Sequence, residues 1–462
     1  MAQFEIKDGV AIIPDGTTEI EWGAFRNCSS LESVTIPNSV TEIGGYAFDS
    51  CTSLKSITIP NSVTYIGDNT FRDCRSLKSI IIPESITRIA ENAFYGCSEL
   101  ESVVIPNSVT EIGKNTFRAC FSLKSITIPK SVTKIGALAF NVCTSLESIV
   151  IPESVTKIDD GAFSACKSLK SITIPESVKA IGEGAFSGCS SLKSITIPGS
   201  VGTIRYQTFA RCTSLEDVVM SKGVKKIGYE AFEGCTSLKS ISVPMSVKEI
   251  DDNAFVNCTS LESIVLPKVK KIGHSAFDGC TSLESIRIVD SATKISPRAF
   301  RGCISLKNIT IPNSVTEISA NAFEGCTSLE SIAIHNSVTY IGDGAYRGCA
   351  SLKRITIPES VKRIGKSAFE GCTSLESITI PKLVTEIGEN TFIGCASLTS
   401  ITLPESLVWI SKSTFFYDRN GTYLVLTAIN VPVVKADFYK KRLPEELHDK
   451  IVELAPEKNT QK

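Results

Sequence analysis

The feature that most constrains this chain is a phrase of 23 residues that recurs along nearly its whole length. The copies can be counted from one aromatic position, which recurs at Phe25, Phe48, Phe71, Phe94, Phe117, Phe140, Phe163, Phe186, Phe209, Phe232, Phe255, Phe277, Phe300, Phe323, Tyr346, Phe369, Phe392 and Phe415. The spacing is 23 residues except for one step of 22 residues between Phe255 and Phe277. Because one copy is too short to bury its own apolar side chains, the repetition predicts a solenoid whose neighbouring coils share one core.

Each copy predicts a coil made of short extended segments and a turn. The Ser-Ile-Thr-Ile alternation of residues 56–59 predicts a half-buried strand with both isoleucines on one face. Pro60 ends this strand because it has no N–H for a ladder. Residues 63–67 predict a second short strand or extended segment, with Gly67 opening a turn. Residues 68–74 predict a helical or 3₁₀ turn that buries the aromatic and the cysteine.

The consensus Leu-x-x-Ile-x-Ile-Pro-x-x-Val-x-x-Ile-Gly-x-x-Ala-Phe-x-x-Cys resembles the BspA-like leucine-rich repeats, a 23-residue class of that superfamily. The resemblance covers about residues 10–416 and eighteen copies. It implies a right-handed superhelix of about 18 coils, with a parallel sheet on one face and short turns or 3₁₀/helical segments on the other. Members of the family are mostly surface proteins of bacteria and protists that bind host proteins, matrix components or other cells.

Both ends of the chain depart from the repeat phrase, which predicts caps over an otherwise exposed core. Residues 1–20 are expected to form an N-terminal cap, followed by the solenoid over residues 21–416. Residues 417–455 are expected to form a C-terminal cap from a hairpin at Asn420-Gly421 and a short helix from Pro444 to Leu454. Residues 456–462 are expected to be a disordered tail.

Charge and hydropathy exclude several classes of function. The chain has 48 Lys and Arg against 49 Asp and Glu, spread through every repeat, which argues against a nucleic-acid partner. No stretch approaches the about 18 consecutive apolar residues of a spanning helix, so we expect no membrane insertion. The first residues show no signal peptide, and this favours a cytoplasmic location. The family resemblance instead favours the cell surface or secretion.

The seventeen cysteines all lie three residues after the repeat aromatic, so they mark one structural position. An odd number at this spacing, with no C-x-x-C pair, is not a disulfide framework, and a row of sulfurs does not converge on a metal ion. We expect small buried side chains stacked in a column, which also fits a reducing compartment. We expect no metal and no cofactor.

The sequence offers little for catalysis. The three histidines, His274, His335 and His448, lie in three different contexts, without a nucleophile or carboxylate at a recognisable spacing. No phosphate-binding loop, nucleophile elbow or zinc-protease helix is present. We therefore expect no catalytic residues and no enzyme.

The leading hypothesis is a non-enzymatic interaction or adhesion scaffold that binds an extended protein or glycan partner on its surface. Candidate partner-binding residues are those that break the repeat: Asp217, Asn308 and Arg354 in the strand Ser column, Arg287 in the Thr column, His335 in place of the repeat Pro, and Tyr340. We expect a monomer with at most weak self-association. The alternatives are a structural spacer or cell-envelope rod and, more remotely, a hydroxyl lattice that binds ice or another crystal surface.

Overall fold

The computed structural model describes residues 4–289, 292–417, 423–424 and 426–455. The chain divides into two compact units, residues 1–238 and residues 239–462. Each unit is a stack of short parallel strands joined by turns, as the repeat predicts.

The first unit contains twenty strands among its described residues. In chain order they are β1 (Ile6–Lys7), β2 (Val10–Ile12), β3 (Glu19–Ile20), β4 (Ser33–Thr35), β5 (Glu42–Ile43), β6 (Ser56–Ile57), β7 (Tyr65–Ile66), β8 (Ser79–Ile81), β9 (Ser102–Val104), β10 (Glu111–Ile112), β11 (Ser125–Thr127), β12 (Lys134–Ile135), β13 (Ser148–Val150), β14 (Lys157–Ile158), β15 (Ser171–Thr173), β16 (Ala180–Ile181), β17 (Ser194–Ile197), β18 (Thr203–Ile204), β19 (Asp217–Met220) and β20 (Lys226–Ile227). A short 3₁₀ helix spans Gly199–Val201.

In both units most coils contribute a first strand, from the segment after the repeat Leu, and a second strand, which ends at the Ile before the turn. The strands of the second unit are β21 (Ser240–Ser242), β22 (Glu249–Ile250), β23 (Ser263–Leu266), β24 (Lys271–Ile272), β25 (Ser285–Ile288), β26 (Lys294–Ile295), β27 (Asn308–Thr310), β28 (Glu317–Ile318), β29 (Ser331–Ala333), β30 (Tyr340–Ile341), β31 (Arg363–Ile364), β32 (Ser377–Thr379), β33 (Glu386–Ile387), β34 (Ser400–Thr402), β35 (Trp409–Ile410), β36 (Ala428–Pro432) and β37 (Ile451–Leu454). Helix α1 spans Ala436–Lys440, and 3₁₀ helices span Lys412–Phe415, Val433–Lys435 and Glu445–Lys450.

The strands pair in parallel with a shift of one repeat. In the first unit, β11 to β13 aligns Ser125 with Ser148 and Ile126 with Ile149, and β13 to β15 repeats this register. The second strands form their own ladder, in which Lys134 of β12 lies opposite Lys157 of β14. The two predicted extended segments are therefore confirmed in most coils, while Ile89 forms only an isolated bridge with Ile112 and residues 351–360 contain no strand. The antiparallel pair β1–β2 begins the first unit.

The core is a set of columns, each built from one repeat position. In a typical coil Leu146, Ile149, Val155 and Phe163 are 0–5% exposed, so the apolar face predicted from the alternation is the buried face. The aromatic rings form a continuous stack within each unit. Phe94 and Phe117, for example, have centroids 5.5 Å apart and planes 2° apart. Since the rings of one coil are covered only by those of its neighbours, each coil is stabilised by adjacency.

The segment between the second strand and the cysteine forms successive tight turns, where the sequence suggested a helical or 3₁₀ turn. Asn69 and Asp73 have φ of 59° and 54°, and a left-handed residue on each side of the aromatic interrupts a right-handed helix. Alternate N–H groups instead donate to the next coil, as from Phe71 to the Ala93 oxygen at 2.9 Å. The predicted burial of the aromatic and the cysteine is confirmed, with Phe71 and Cys74 both 0% exposed.

The C-terminal region differs in part from the sequence prediction. The expected helix from Pro444 to Leu454 is only a 3₁₀ helix, Glu445–Lys450, and its second half is strand β37. β37 pairs in parallel with β36, placing Ile451 beside Ile429, so ladder pairing prevails over local helix propensity. The predicted turn at Asn420-Gly421 and the tail at 456–462 lie outside the described residues. Phe416 and Tyr423 form an isolated antiparallel bridge.

The positive φ of the turn generates a stability prediction. Gly188 has φ 73°, and a Cβ there would lie 3.7 Å from the nearest Ala165 atom, so space is available. We expect Gly188→Val to lower the free energy of unfolding by about 1–2 kcal/mol, because a β-branched residue is strained in this conformation. Urea denaturation measures the change. Gly188→Asn is the matched control and should cost less, because asparagine tolerates positive φ. Equal losses for both would contradict a conformational cause.

A second prediction concerns the one tyrosine in the aromatic stack. Tyr346 is 0% exposed, and its hydroxyl has no hydrogen-bond partner. Its ring nevertheless stacks 5.6 Å from Phe323 and 5.5 Å from Phe369. We expect Tyr346→Phe to raise the free energy of unfolding by about 1–3 kcal/mol, because it removes a buried polar group without removing a contact. The reverse change at the neighbouring coil, Phe323→Tyr, should lower it; thermal and urea unfolding of both variants decide.

Candidate functional site

The outward side of the first strands presents three columns of side chains, which we call the outer face. In most coils the first column, which follows the repeat Leu, carries Lys or Glu, the second carries Ser, and the third carries Thr, Val or Ile. In β13, for example, Ser148 and Val150 are exposed on either side of buried Ile149. Alternation within the strand therefore places the Ser column and the β-branched column on the same side, and the Lys/Glu column lies beside the Ser column just before the strand begins.

The third column of the first unit is more apolar than the sequence analysis recognised. Ile81, Val104 and Val150 expose 70%, 58% and 76% of their surface. The repeat Ser and Thr, by contrast, predict hydroxyl groups along the outer face. The signal was available, because Ile or Val replaces the repeat Thr at these positions. Ile81 and Val104 lie opposite each other in the β8–β9 pairing, so their exposed apolar side chains adjoin on the outer face.

A shallow groove of about 300 Å³ lies on this part of the outer face. It is lined by residues of two successive coils, Ser56, Ile57, Thr58, Ile59 and Asn61 from one and Ser79, Ile80, Ile81 and Pro83 from the next. Strand β6 ends one sheet and β8 begins another, so the first-strand ladder is interrupted there. The groove therefore combines hydroxyl groups, one exposed apolar side chain and a local gap in strand pairing.

The charged column beside the Ser column is internally neutralised. Lys55 Nζ lies 2.6 Å from Glu32 Oε2, and Lys170 Nζ lies 2.8 Å from Glu147 Oε2, each pair joining successive coils. The hydrogen bond from Lys170 holds the pKa of Glu147 below its ordinary value. Because these pairs are exposed, each contributes little to stability. Their main effect is that the outer face carries no extended field of one sign.

Within each unit the buried cysteines form a hydrogen-bonded column. Fifteen of these thiols each donate to the carbonyl oxygen of the aromatic residue in the preceding coil, at 3.0–3.3 Å. Cys51 is the first donor of the series, to Phe25, and Cys28 at its beginning is only half-buried. The buried small side chains expected from sequence are therefore present, but their role as donors was missed.

Burial sets the protonation state of these thiols. Desolvation raises the pKa of Cys143 and Cys212 from 9.0 to about 12, although the hydrogen bond from the backbone of the preceding cysteine opposes it. A thiol, not a thiolate, is therefore the form that the fold stabilises. The column is built for structure and is unsuited to nucleophilic chemistry.

Small hydroxyl side chains make a second inter-coil column. In many coils the Ser two residues after the repeat Pro donates to a carbonyl oxygen of the preceding coil, as Ser154 does to Val132 at 2.6 Å and Ser360 to Val338 at 2.7 Å. The threonines of the second-strand region behave similarly, with Thr133 donating to the Thr110 oxygen at 3.3 Å. These hydroxyls are engaged in stacking, whereas the Ser column of the outer face points outward.

Four of the six residues singled out from sequence lie on outer faces. Asp217 begins β19 in the first unit and is exposed. In the second unit Arg287, Asn308 and Arg354 occupy outer-face positions of different coils. Asn308 Oδ1 accepts a 2.8 Å hydrogen bond from Ser331, and Arg354 lies 3.6 Å from Glu376 Oε2. No strand is assigned to residues 351–360, so Arg354 coincides with an interruption of the ladder.

His335 and Tyr340 lie elsewhere on their coil. His335 is exposed just beyond β29, and its Nδ1 accepts a 3.3 Å hydrogen bond from the Ser337 N–H. Tyr340 belongs to the second-strand row, where the guanidinium of Arg363 stacks 5.3 Å from its ring centroid. Burial, followed by Asp343, raises the pKa of Tyr340. The structure thus does not bring the six residues into one site, and their role in partner binding stays a prediction.

Two further observations bear on chemistry. Among the described residues, no group of three or more His, Cys, Asp or Glu side chains is arranged to hold a metal ion. In the same part of the chain, no helix has the length and apolar character needed to cross a membrane.

The BspA type leucine rich repeat region model matches residues 18–147, 133–262, 248–372 and 341–438. The chain belongs to the BspA-type leucine-rich repeat family. A similar solved structure is a leucine-rich repeat protein from Bacteroides ovatus ATCC 8483, 29% identical, with a TM-score of 0.52 over 96% of this chain and 92% of that chain.

A second similar solved structure is a leucine rich cell surface protein from Faecalibacterium prausnitzii A2-165. It is 34% identical, covers 76% of this chain and 88% of that chain, and has a TM-score of 0.42. No curated protein matches this chain significantly. The family and the repeat solenoid predicted from sequence are confirmed by the family model and the Bacteroides ovatus structure.

The thiol column predicts how stability depends on alkaline pH. Because the folded pKa of Cys212 is raised to about 12, its contribution is fully present below the unfolded value of 9.0 and is lost as pH rises towards 12. We expect each such thiol to lower the free energy of unfolding by about 1.4 kcal/mol per pH unit above pH 9. Urea denaturation at successive pH values measures this slope.

Removing two thiols provides the control for other groups that titrate in this range. The double variant Cys189→Ala/Cys212→Ala should be less stable at pH 7, but its alkaline slope should be shallower by about 2.7 kcal/mol per pH unit. An unchanged slope would show that the thiols do not carry the alkaline loss.

Proposed function

We propose that this BspA-type protein is a non-enzymatic scaffold that binds a protein partner on the outer face of its first unit. Leucine-rich repeat families typically supply protein-interaction scaffolds, and the chain's membership of such a family supports the general class. The observation that carries the location is the exposed apolar column represented by Ile81, Val104 and Val150.

The stability of the fold does not require this column to be apolar. Thr127 occupies the same position between Val104 and Val150 and is exposed like them, and Thr58 does so beside Ile81. Since a Thr side chain fits the same strand geometry, Ile or Val adds exposed apolar surface without adding a buried contact. A partner that covers the column would remove this apolar surface from water, a gross gain of about 25 cal/mol per Å² from which the entropic cost of association is subtracted.

The surroundings of the column suit a protein with a mixed surface. The Ser column offers neutral donors and acceptors, and the groove between Ser56 and Pro83 could accept a protruding side chain. The charged column at the rim contains both signs, with Glu32 and Lys55 paired across it. A strongly charged polymer would therefore meet no complementary field, whereas a protein surface of apolar centre and polar rim would match it.

The close packing of the residues beneath the outer face favours binding. Ile57, Ile80 and Val103 beneath the outer face are at most 7% exposed and are packed between successive coils. A surface held in this way loses little conformational entropy on association, which lowers the cost of binding.

The test compares two faces of the same two coils. Ile81→Glu/Val104→Glu places charges on the outer face, and Thr87→Glu/Thr110→Glu places them at exposed positions before the second strands of those coils. Immobilised protein of each kind is exposed to extracts, and any retained protein is identified and its affinity measured with purified material. We expect a partner retained by the unaltered chain and by the Thr variant, with at least about tenfold weaker binding to the outer-face variant.

Thermal unfolding serves as the folding control, because both pairs of positions are exposed and should leave the unfolding temperature nearly unchanged. Equal retention by both variants would move the site away from the outer face. Absence of any retained protein at micromolar concentration would favour the spacer function considered from the sequence.

A further inference from the structure

Two columns of the second unit carry charges that alternate in sign from coil to coil. The turn charge column lies one residue after the repeat aromatic and consists of Asp278, Arg301, Glu324, Arg347 and Glu370. The strand charge column lies one residue after the repeat Leu and consists of Glu284, Lys307, Glu330, Lys353 and Glu376. Both columns run through the same five coils.

The turn charge column forms ion pairs between successive coils. Arg301 Nε lies 2.9 Å from Asp278 Oδ2 in the coil before it. Arg347 lies between two acids, with 3.6 Å to Glu324 Oε1 on one side and 3.6 Å to Glu370 Oε2 on the other. The three carboxylates are only 12–25% exposed, so these pairs are screened less by water than ordinary surface pairs.

The strand charge column repeats the pattern on the outer face. Lys307 Nζ lies 3.2 Å from Glu284 Oε2 of the coil before it. Its signs agree with the turn column coil by coil: the coil of Asp278 and Glu284 is acidic in both, and the coil of Arg301 and Lys307 is basic in both. The five coils are therefore acidic, basic, acidic, basic and acidic at two separate positions.

This agreement matters because the core columns carry nearly the same side chains in every coil. Each coil offers the same Leu, Ile, aromatic and Cys side chains, so a coil that is skipped leaves the core columns continuous. The loop entropy of expelling one coil grows only slowly with its length, so it is a weak barrier to such an error. A sequence of near-identical repeats needs some other interaction to select the native neighbour.

Charge supplies that selection. If the coil of Arg301 is skipped, Asp278 meets Glu324 and Glu284 meets Glu330. If the next coil is skipped, Arg301 meets Arg347 and Lys307 meets Lys353. Every single-coil error within the five coils thus brings like charges together in both columns, whereas native stacking brings opposite charges together.

We propose that the alternating charge of whole coils between Asp278 and Glu376 fixes the order in which the repeats of the second unit stack, by penalising any arrangement that omits one coil.

Deletions of whole coils test this through parity. Deleting residues 286–308 removes one coil and joins Ser285 to Ile309, while deleting residues 286–331 removes two coils and joins Ser285 to Ile332. The one-coil deletion places like charges together in both columns, and the two-coil deletion restores opposite charges. We expect the one-coil variant to unfold at the lower temperature although it keeps 23 more residues. The difference should shrink in 1 M salt, where the Debye length falls to about 3 Å.

A pair of substitutions makes the test independent of the deletion junction. Asp278→Arg/Glu284→Lys opposes the basic coil that follows in the full chain, but restores alternation in the one-coil deletion. We expect the pair to lower the unfolding temperature of the full chain and to raise that of the one-coil deletion. A shift of the same sign in both backgrounds would overturn the proposal.

The first unit provides a matched deletion. Removing residues 172–194 joins Ser171 to Ile195, where the turn positions brought together are Ser164 and Ala210 and no like charges meet. Its unfolding temperature should show little dependence on salt. If the one-coil deletion of the second unit behaves in the same way, or if stability simply falls with each coil removed, charge does not select coil order.

Discussion

Each coil of this protein is completed by hydrogen bonds to the coils before and after it. Within the described repeats, first strands pair in parallel with first strands one repeat away and second strands with second strands, and the turn N–H groups donate to the following coil. Buried thiols also donate to the preceding coil, as Cys212 does to Phe186 at 3.2 Å. A coil on its own would leave these donors unpaired and its aromatic ring bare, so adjacency is the condition for the whole structure.

Much of this arrangement was predictable because it follows from period and alternation. The strand residues 56–59, the end of the strand at Pro60 and the burial of Phe71 are all consequences of side-chain spacing. The turn was harder to predict, because a seven-residue segment with an Ala or Thr before Phe is compatible with one turn of helix. The deciding feature is the left-handed backbone at Asn69 and Asp73, which a repeat column of Asn, Asp and Gly signals only weakly.

The outer face shows a similar division between pattern and context. Alternation predicted which residues point outward, but the repeat Ser and Thr do not predict the exposed apolar side chains of Ile81 and Val150. Asn308 and Arg354 lie on the outer face, as their positions in the Ser column predict. Tyr340 lies in second strand β30 and therefore not on the outer face. Whether a deviation serves a partner depends on contacts that no single coil contains, and the sequence of one coil cannot supply them.

The direction of the hydrogen bonds distinguishes the two ends of a coil stack. Side-chain donors such as Cys166 and Ser154 point towards earlier coils, while main-chain donors of the turn, such as Phe140, point towards later ones. Main-chain donors of the turn therefore require an acceptor after the last coil. The Thr414 oxygen is such an acceptor, since the Phe392 N–H donates to it at 3.2 Å. A module that replaces either terminal segment therefore has to present carbonyl oxygens to the stack, because without its terminal segments the stack has unpaired donors at both ends.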